Sequence, residues 1–151
     1  MRKSSLLPLF FAFALALVFA GCRRSSPPPV SQRIAKVWVA RTVEENNVVV
    51  YNRGVTNPAP VRPGYANFQL NLSNAPTVTY REFDNNTFNG QYSLPNDQTL
   101  TLTGLTPQPT GTNGTITFTI NSISDTELVL TRTTPSQKTG NTTNKYTLTA
   151  Q

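Results

Sequence analysis

"TFNGQYSLPNDQTLTLTG", residues 87–104, decides the fold class. Phe88, Gly90, Tyr92 and Leu94 share one parity, and Asn89, Gln91 and Ser93 hold the other. Leu100 and Leu102 then alternate with Thr99, Thr101 and Thr103. Successive side chains of a strand point to opposite faces, so a period of two gives one apolar and one wet face. Pro95-Asn96-Asp97 between the runs is turn chemistry. The stretch is therefore two half-buried antiparallel strands joined as a hairpin.

The same period recurs on both sides. Phe68, Leu70 and Leu72 alternate with Asn and Gln, Ile116, Phe118 and Ile120 with Thr and Asn, and Leu128/Leu130 and Tyr146/Leu148 share faces. The 34–43 stretch around Trp38 is apolar on both faces, 48–51 is continuous, and 77–83 alternates with Val78 and Tyr80 competing with Phe83 for the core. Threonine suits the wet faces, being β-branched yet polar. Asp84-Asn85-Asn86 and Ser124-Asp125 are short turn clusters, while 53–64 and 106–114 are longer Pro/Gly-rich links. No stretch has the spacing of an amphipathic helix. Nine strand signals, mostly joined by short turns, predict an all-β, antiparallel up-and-down meander that closes into a barrel of 8–9 strands and so removes its edges. A β-sandwich with Greek-key links is the alternative.

The N-terminal stretch differs in kind. Arg2 and Lys3 precede an apolar run from Leu6 to Ala20, and small residues follow, the order of a secretory signal peptide. That run is shorter than the roughly 20 residues a membrane-spanning helix needs. Residues 1–21 are thus expected to be removed, 22–30 to form a tether, and 31–151 to form one domain. The tether reads CRRSSPPPV; its Pro triplet favours an extended spacer lifting the domain about 25–30 Å.

Phe19-Ala20-Gly21-Cys22 resembles the lipobox of bacterial lipoproteins. The resemblance implies a diacylglyceryl group on the Cys22 sulfur, cleavage before Cys22 and an N-acyl chain on the new amino end. Each buried CH₂ contributes about 0.8 kcal/mol, so two or three chains anchor stably. The membrane, reached through this lipid, is the first partner expected. By likeness to lipoprotein sorting, Arg23 in place of Asp implies the outer membrane, and the absence of an acidic stretch after Cys22 implies a face toward the periplasm.

Lys36-Val37-Trp38, the 87–94 strand, the LTLTG segment at 100–104 and Leu128-Val129-Leu130 together resemble small bacterial lipocalin-like lipoproteins over roughly residues 34–150. That likeness implies a lipocalin-like barrel with Trp38 plugging its closed end. It implies little about activity.

Charge and composition restrict function. Of 13 basic residues Arg2 and Lys3 precede the cut, leaving 11 against 7 acids, a net of +4. No cluster of the kind nucleic acid requires is present. The chain has no histidine and one cysteine, which excludes Ser/His and Cys/His nucleophiles and zinc sites built on His or Cys. No cofactor or metal is expected beyond the lipid on Cys22. Glu44/Glu45, Glu82/Asp84 and Asp125/Glu127 are the close acid pairs, and a glycosidase on such a pair is a remote alternative. Asp84, Asp125, Glu44 and Glu45 are expected in solvated turns, whereas Glu82 shares the parity of Tyr80. Arg132, Lys138 and Lys145 are expected on a solvated face of the last hairpin.

Trp38, Phe68, Tyr80, Phe88, Tyr92, Phe118 and Tyr146 are the expected barrel-interior residues, and the ones that would line a ligand cavity if there is one. An eight-stranded barrel either fills with side chains or holds one small ligand. The 53–64 loop is expected over one mouth. The chain is therefore expected to be a membrane-anchored, non-catalytic structural or interaction module of the cell envelope. The alternative is a binder of a small apolar or amphipathic ligand. The sequence names no protein partner.

Overall fold

The structure, a computed structural model, describes residues 26–151. The expected signal peptide and the expected lipid-bearing Cys22 lie outside them. The order is α1 (Val30–Ile34), β1 (Val37–Glu45), β2 (Val48–Asn52), a 3₁₀ turn (Pro63–Asn67), β3 (Gln69–Asn71), β4 (Thr77–Arg81), β5 (Thr87–Asn96), β6 (Thr99–Thr106), β7 (Ile116–Ile123), β8 (Glu127–Arg132), a 3₁₀ turn (Gln137–Thr139) and β9 (Asn144–Ala150).

All pairings between these strands are antiparallel. From β3 to β9 each strand pairs with the next, and β1 pairs with β9 over Trp38–Glu45, which closes the wall. Eight strands thus form a closed barrel, and β2 is one extra strand. The sandwich alternative fails on the β1–β9 pairing. On its other edge β1 pairs with β3 through Val37–Val39 and with β2 through Thr42–Glu45. The chain therefore turns back on β1 as a hairpin, leaves along residues 53–62, and returns as β3 to the other half of the same edge. The β1–β2 turn is Asn46-Asn47, both at positive φ. Asn tolerates that region, and two such residues match the twist of a tight hairpin.

Inward parity builds the core. Trp38, Leu70, Leu72, Leu100, Leu102, Phe118, Leu128, Leu130 and Leu148 are fully buried. Gly90 explains why the opening hairpin carries glycine. It sits at an irregularity of the β5–β6 register, and a Cβ there would lie 2.5 Å from the Thr103 carbonyl oxygen. Only a residue without Cβ lets the two backbones approach so closely.

One end of the barrel is plugged. In α1, Val30 and Ile34 are one turn apart and both buried. The Trp38 indole donates to the Ile34 carbonyl at 2.8 Å, and Arg33 donates to the Ile123 carbonyl at the end of β7 at 2.7 Å. Trp38 thus lies at this end, beneath α1. Val30, the last residue of the expected tether, instead begins the helix and packs into the core. Among the described residues no helix is long and apolar enough to cross a membrane.

Candidate functional site

The opposite end, where β1, β4, β6 and β8 finish, is the mouth. Its interior is aromatic below and polar above. Phe68 stacks on Tyr146 with centroids 4.8 Å apart, and Phe118 meets Tyr146 edge-on at 6.1 Å. Tyr80 contacts Phe68 at 5.7 Å and Phe88 at 6.0 Å. These rings touch one another across the barrel. Of the expected interior set, Trp38 sits at the plugged end, Phe68, Tyr80, Phe88, Phe118 and Tyr146 form this chain of rings, and Tyr92 donates to the Leu72 carbonyl at 3.1 Å. All seven are buried.

The lid over the mouth is the 3₁₀ turn Pro63–Asn67, which corrects the expectation for the 53–64 loop. It lowers Tyr65 into the barrel, 5.0 Å from the Phe83 ring and 6.3 Å from Tyr146. Residues 53–62 instead fold against β2, outside the wall, with the Arg62 amide donating to the Val50 carbonyl at 3.0 Å.

Three charged residues differ from the solvated roles expected of them. Glu45, at the end of β1, is buried and accepts from the Tyr65 hydroxyl at 2.9 Å and from Arg62 Nε at 2.8 Å. An extra residue on β1, Arg41, between Ala40 and Thr42 in the register with β9, shifts the inward parity from Trp38 and Ala40 to Val43 and Glu45. Lys138 reaches across the mouth to Glu82 at 2.5 Å and Asp84 at 2.8 Å, and lies over the Phe88 ring at 5.3 Å. The Glu82 contact is an ion pair without the alignment of a hydrogen bond. Arg132 continues the inward parity of Leu128 and Leu130 and is buried. Glu82, inward with Tyr80, receives that hydroxyl at 3.3 Å. Asn144 donates to the Tyr65 and Tyr146 hydroxyl oxygens at 3.3 and 3.2 Å.

Burial raises the Tyr146 phenol to about 12, and burial pushes Tyr65 and Tyr80 well above their ordinary range. These phenols stay protonated, and Tyr65 and Tyr80 donate to Glu45 and Glu82. Partial burial would raise Asp84, but hydrogen bonds from Lys138 and the Asn86 backbone outweigh it and hold the carboxyl below its usual range. For Lys138 partial burial lowers the value, and the contacts with Asp84 and Glu82 overcome it, leaving the ammonium raised.

The acid pairs are arranged as ion pairs and turn caps. Glu44 binds Lys145 at 3.1 Å, Glu45 binds Arg62, Glu82 and Asp84 share Lys138, and Glu127 binds Arg41. Among the described residues no group of three or more potential metal ligands occurs.

Outside the wall, β2 and residues 53–62 enclose a groove of about 310 Å³ lined by Val49, Tyr51, Val55, Pro58, Pro60 and Val61. Val48, Val49 and Val61 are more than half exposed, the last at 75%. Val49 and Val61 line the same groove, and apolar groups so exposed and so close together form a patch, which isolated surface residues do not.

A comparison with solved structures finds this arrangement in a lipocalin-like protein from Bacteroides uniformis. It is 15% identical, covers 79% of this chain and 99% of the other, and has a TM-score of 0.52. An uncharacterized protein from Bacteroides eggerthii, 14% identical, covers 77% of this chain and 98% of its own with a TM-score of 0.47. No protein-family profile and no curated protein matches the sequence. The chain has a lipocalin-like fold: an all-β meander closed as an eight-stranded barrel, with one strand added.

Proposed function

We propose that the protein is a lipid-anchored, non-catalytic interaction module of the bacterial cell envelope that works through the outer surface of its barrel. The observation carrying this is the apolar platform of Val49 and Val61 on a barrel whose interior is occupied by its own rings. A barrel so filled offers its walls and loops for recognition, and an exposed apolar platform is what a partner surface would cover.

The anchor completes the reading. Residues 26–29 lead directly into α1 at the plugged end. A diacylglyceryl and N-acyl group on Cys22 would hold that end toward the membrane, in our reading the outer membrane, and turn the mouth and platform away from it. Photo-crosslinking in cells tests the platform, with the reactive side chain at Val61 and, as control, at Thr117 on the opposite wall. A discrete adduct at position 61 and none at 117 is expected. Equal, diffuse labelling at both positions would defeat the proposal.

The ligand-binding reading is favoured by a different observation, the buried Arg132, taken up below.

A further inference from the structure

Arg132 is the anomaly of the mouth. It points inward from β8, opposite Phe118 on β7, with 3% of its surface exposed. Arg62 has Glu45, and Lys138 has Glu82 and Asp84. Among the described residues Arg132 has no ion pair, and its Nε–H has no acceptor. A buried guanidinium is retained when an anion and hydrogen bonds compensate its lost hydration.

A second donor sits beside it. The β8–β9 register pairs Leu130 with Tyr146, which makes Arg132 and Tyr146 diagonal neighbours on the inward face. The Tyr146 hydroxyl receives the Asn144 amide at 3.2 Å, and its own proton has no acceptor among the described hydrogen bonds. Arginine has donors only, so neither group can satisfy the other. Burial keeps the Tyr146 phenol protonated, and the Arg132 charge acts on it across that diagonal. Both donors lack an acceptor among the described hydrogen bonds; Glu82 Oε2, a buried oxygen of the same mouth that also lacks a hydrogen-bond partner, is ion-paired to Lys138 and not to Arg132.

We propose that Arg132 and Tyr146 form a binding site for a carboxylate monoanion in the mouth of the barrel. Two carboxylate oxygens match two convergent donors, and charge-assisted bonds of this kind are the strong ones. The count of charges selects a monoanion. Glu45, Glu82 and Asp84 face the same region and are held by Arg62 and Lys138. Arg62, Lys138 and Arg132 together balance these three carboxylates, so one added negative charge already brings the mouth to a net −1, and a second would meet only carboxylates. The stacked Phe68 and Tyr146 rings fill the space beneath, so any tail on the ligand leaves through the mouth. Residues 133–143 run from Arg132 to β9, with Lys138 clasping them to the β4–β5 turn, and this segment must lift for entry. The inference stands apart from the interaction role and does not rest on it.

The test is thermal unfolding of the full chain in non-ionic detergent, followed by fluorescence of Trp38. Potassium acetate and potassium octanoate are each compared with potassium chloride at equal ionic strength. A ligand that binds only the folded state raises the midpoint, here by about 3 °C or more at saturation. At least one probe is expected to do so with the parent protein, acetate indicating a small free acid and octanoate the head group of an amphiphile. Arg132→Met should abolish the shift and, in chloride, melt no lower than the parent, because an unpaired buried charge has been replaced by an apolar chain. Tyr146→Phe, which keeps the ring, should need about tenfold more probe for the same shift. No shift with either probe, or an equal shift in Arg132→Met, overturns the proposal. So does an Arg132→Met chain that is unfolded in chloride, which would make Arg132 a structural group.

Discussion

Tyr65→Phe measures how firmly the mouth is closed. The substitution keeps the ring, and with it the 5.0 Å contact to Phe83, and removes only the hydroxyl. That hydroxyl donates to Glu45 at 2.9 Å, and Glu45 is buried. A hydrogen bond to a charged group contributes about 1.5–3 kcal/mol. The second contact, from Asn144 at 3.3 Å, is long, and the Asn144 amide keeps Tyr146 at 3.2 Å. The expected loss is therefore about 2 kcal/mol, almost all from one bond. For a domain of this size that lowers the melting midpoint by about 8 °C. Thermal and urea unfolding followed by Trp38 fluorescence give the value. Glu45→Gln supplies the second arm of a double-mutant cycle: with a neutral acceptor, Tyr65→Phe should cost about 1 kcal/mol. A loss within about 0.5 kcal/mol of zero, or the same loss in both backgrounds, would refute the view that Tyr65 seals the mouth through Glu45.

Two further outcomes follow from the same geometry. Gly90→Ala places a methyl group 2.5 Å from the Thr103 carbonyl, and should destabilise by about 1–3 kcal/mol, read as a lower urea midpoint; an unchanged midpoint would mean the β5–β6 contact yields freely. The Lys138 clasp should have a pH window. Asp84 is lowered in the fold, so its contribution is present above the unfolded carboxylate value of about 4 and is lost as pH falls through the folded one. Lys138 is raised, so its contribution is complete below about 10.4 and is lost as pH rises through the folded value. Hydrogen exchange of residues 133–143, corrected for intrinsic rates, should show constant protection between these limits and loss outside them in the parent protein. Lys138→Met should show weaker protection throughout the window, and a variant indistinguishable from the parent would remove the clasp.

Much of the barrel was legible because one physical rule repeats along the chain. Period-two alternation placed the strands, and the short Asn/Asp turns implied neighbours in sequence order. The double use of one edge of β1 was not legible: Asn46-Asn47 marks the hairpin, but nothing local says that β3 returns beside β2. The charged mouth was legible in part. Glu82 shares the parity of Tyr80, and where Tyr80 turns inward Glu82 follows it. The same parity along Leu128, Leu130 and Arg132 carried the signal for the buried arginine, yet a cation beside a turn reads as solvated unless its parity is weighed. Glu45 escaped because the irregularity at Arg41 shifts the inward parity of β1 from Trp38 and Ala40 to Val43 and Glu45. Lys138 meets Glu82 and Asp84 from across the barrel, a distance in sequence that no local pattern spans.

The proposed placement of the molecule, plugged end toward the membrane and mouth away, depends on lipid at Cys22. Intact-mass analysis of the protein extracted from membranes tests this most directly. The account predicts a mature chain that starts at Cys22 and carries the added mass of a diacylglyceryl and an N-acyl group. A chain that starts elsewhere, or starts at Cys22 without hydrocarbon, would contradict it.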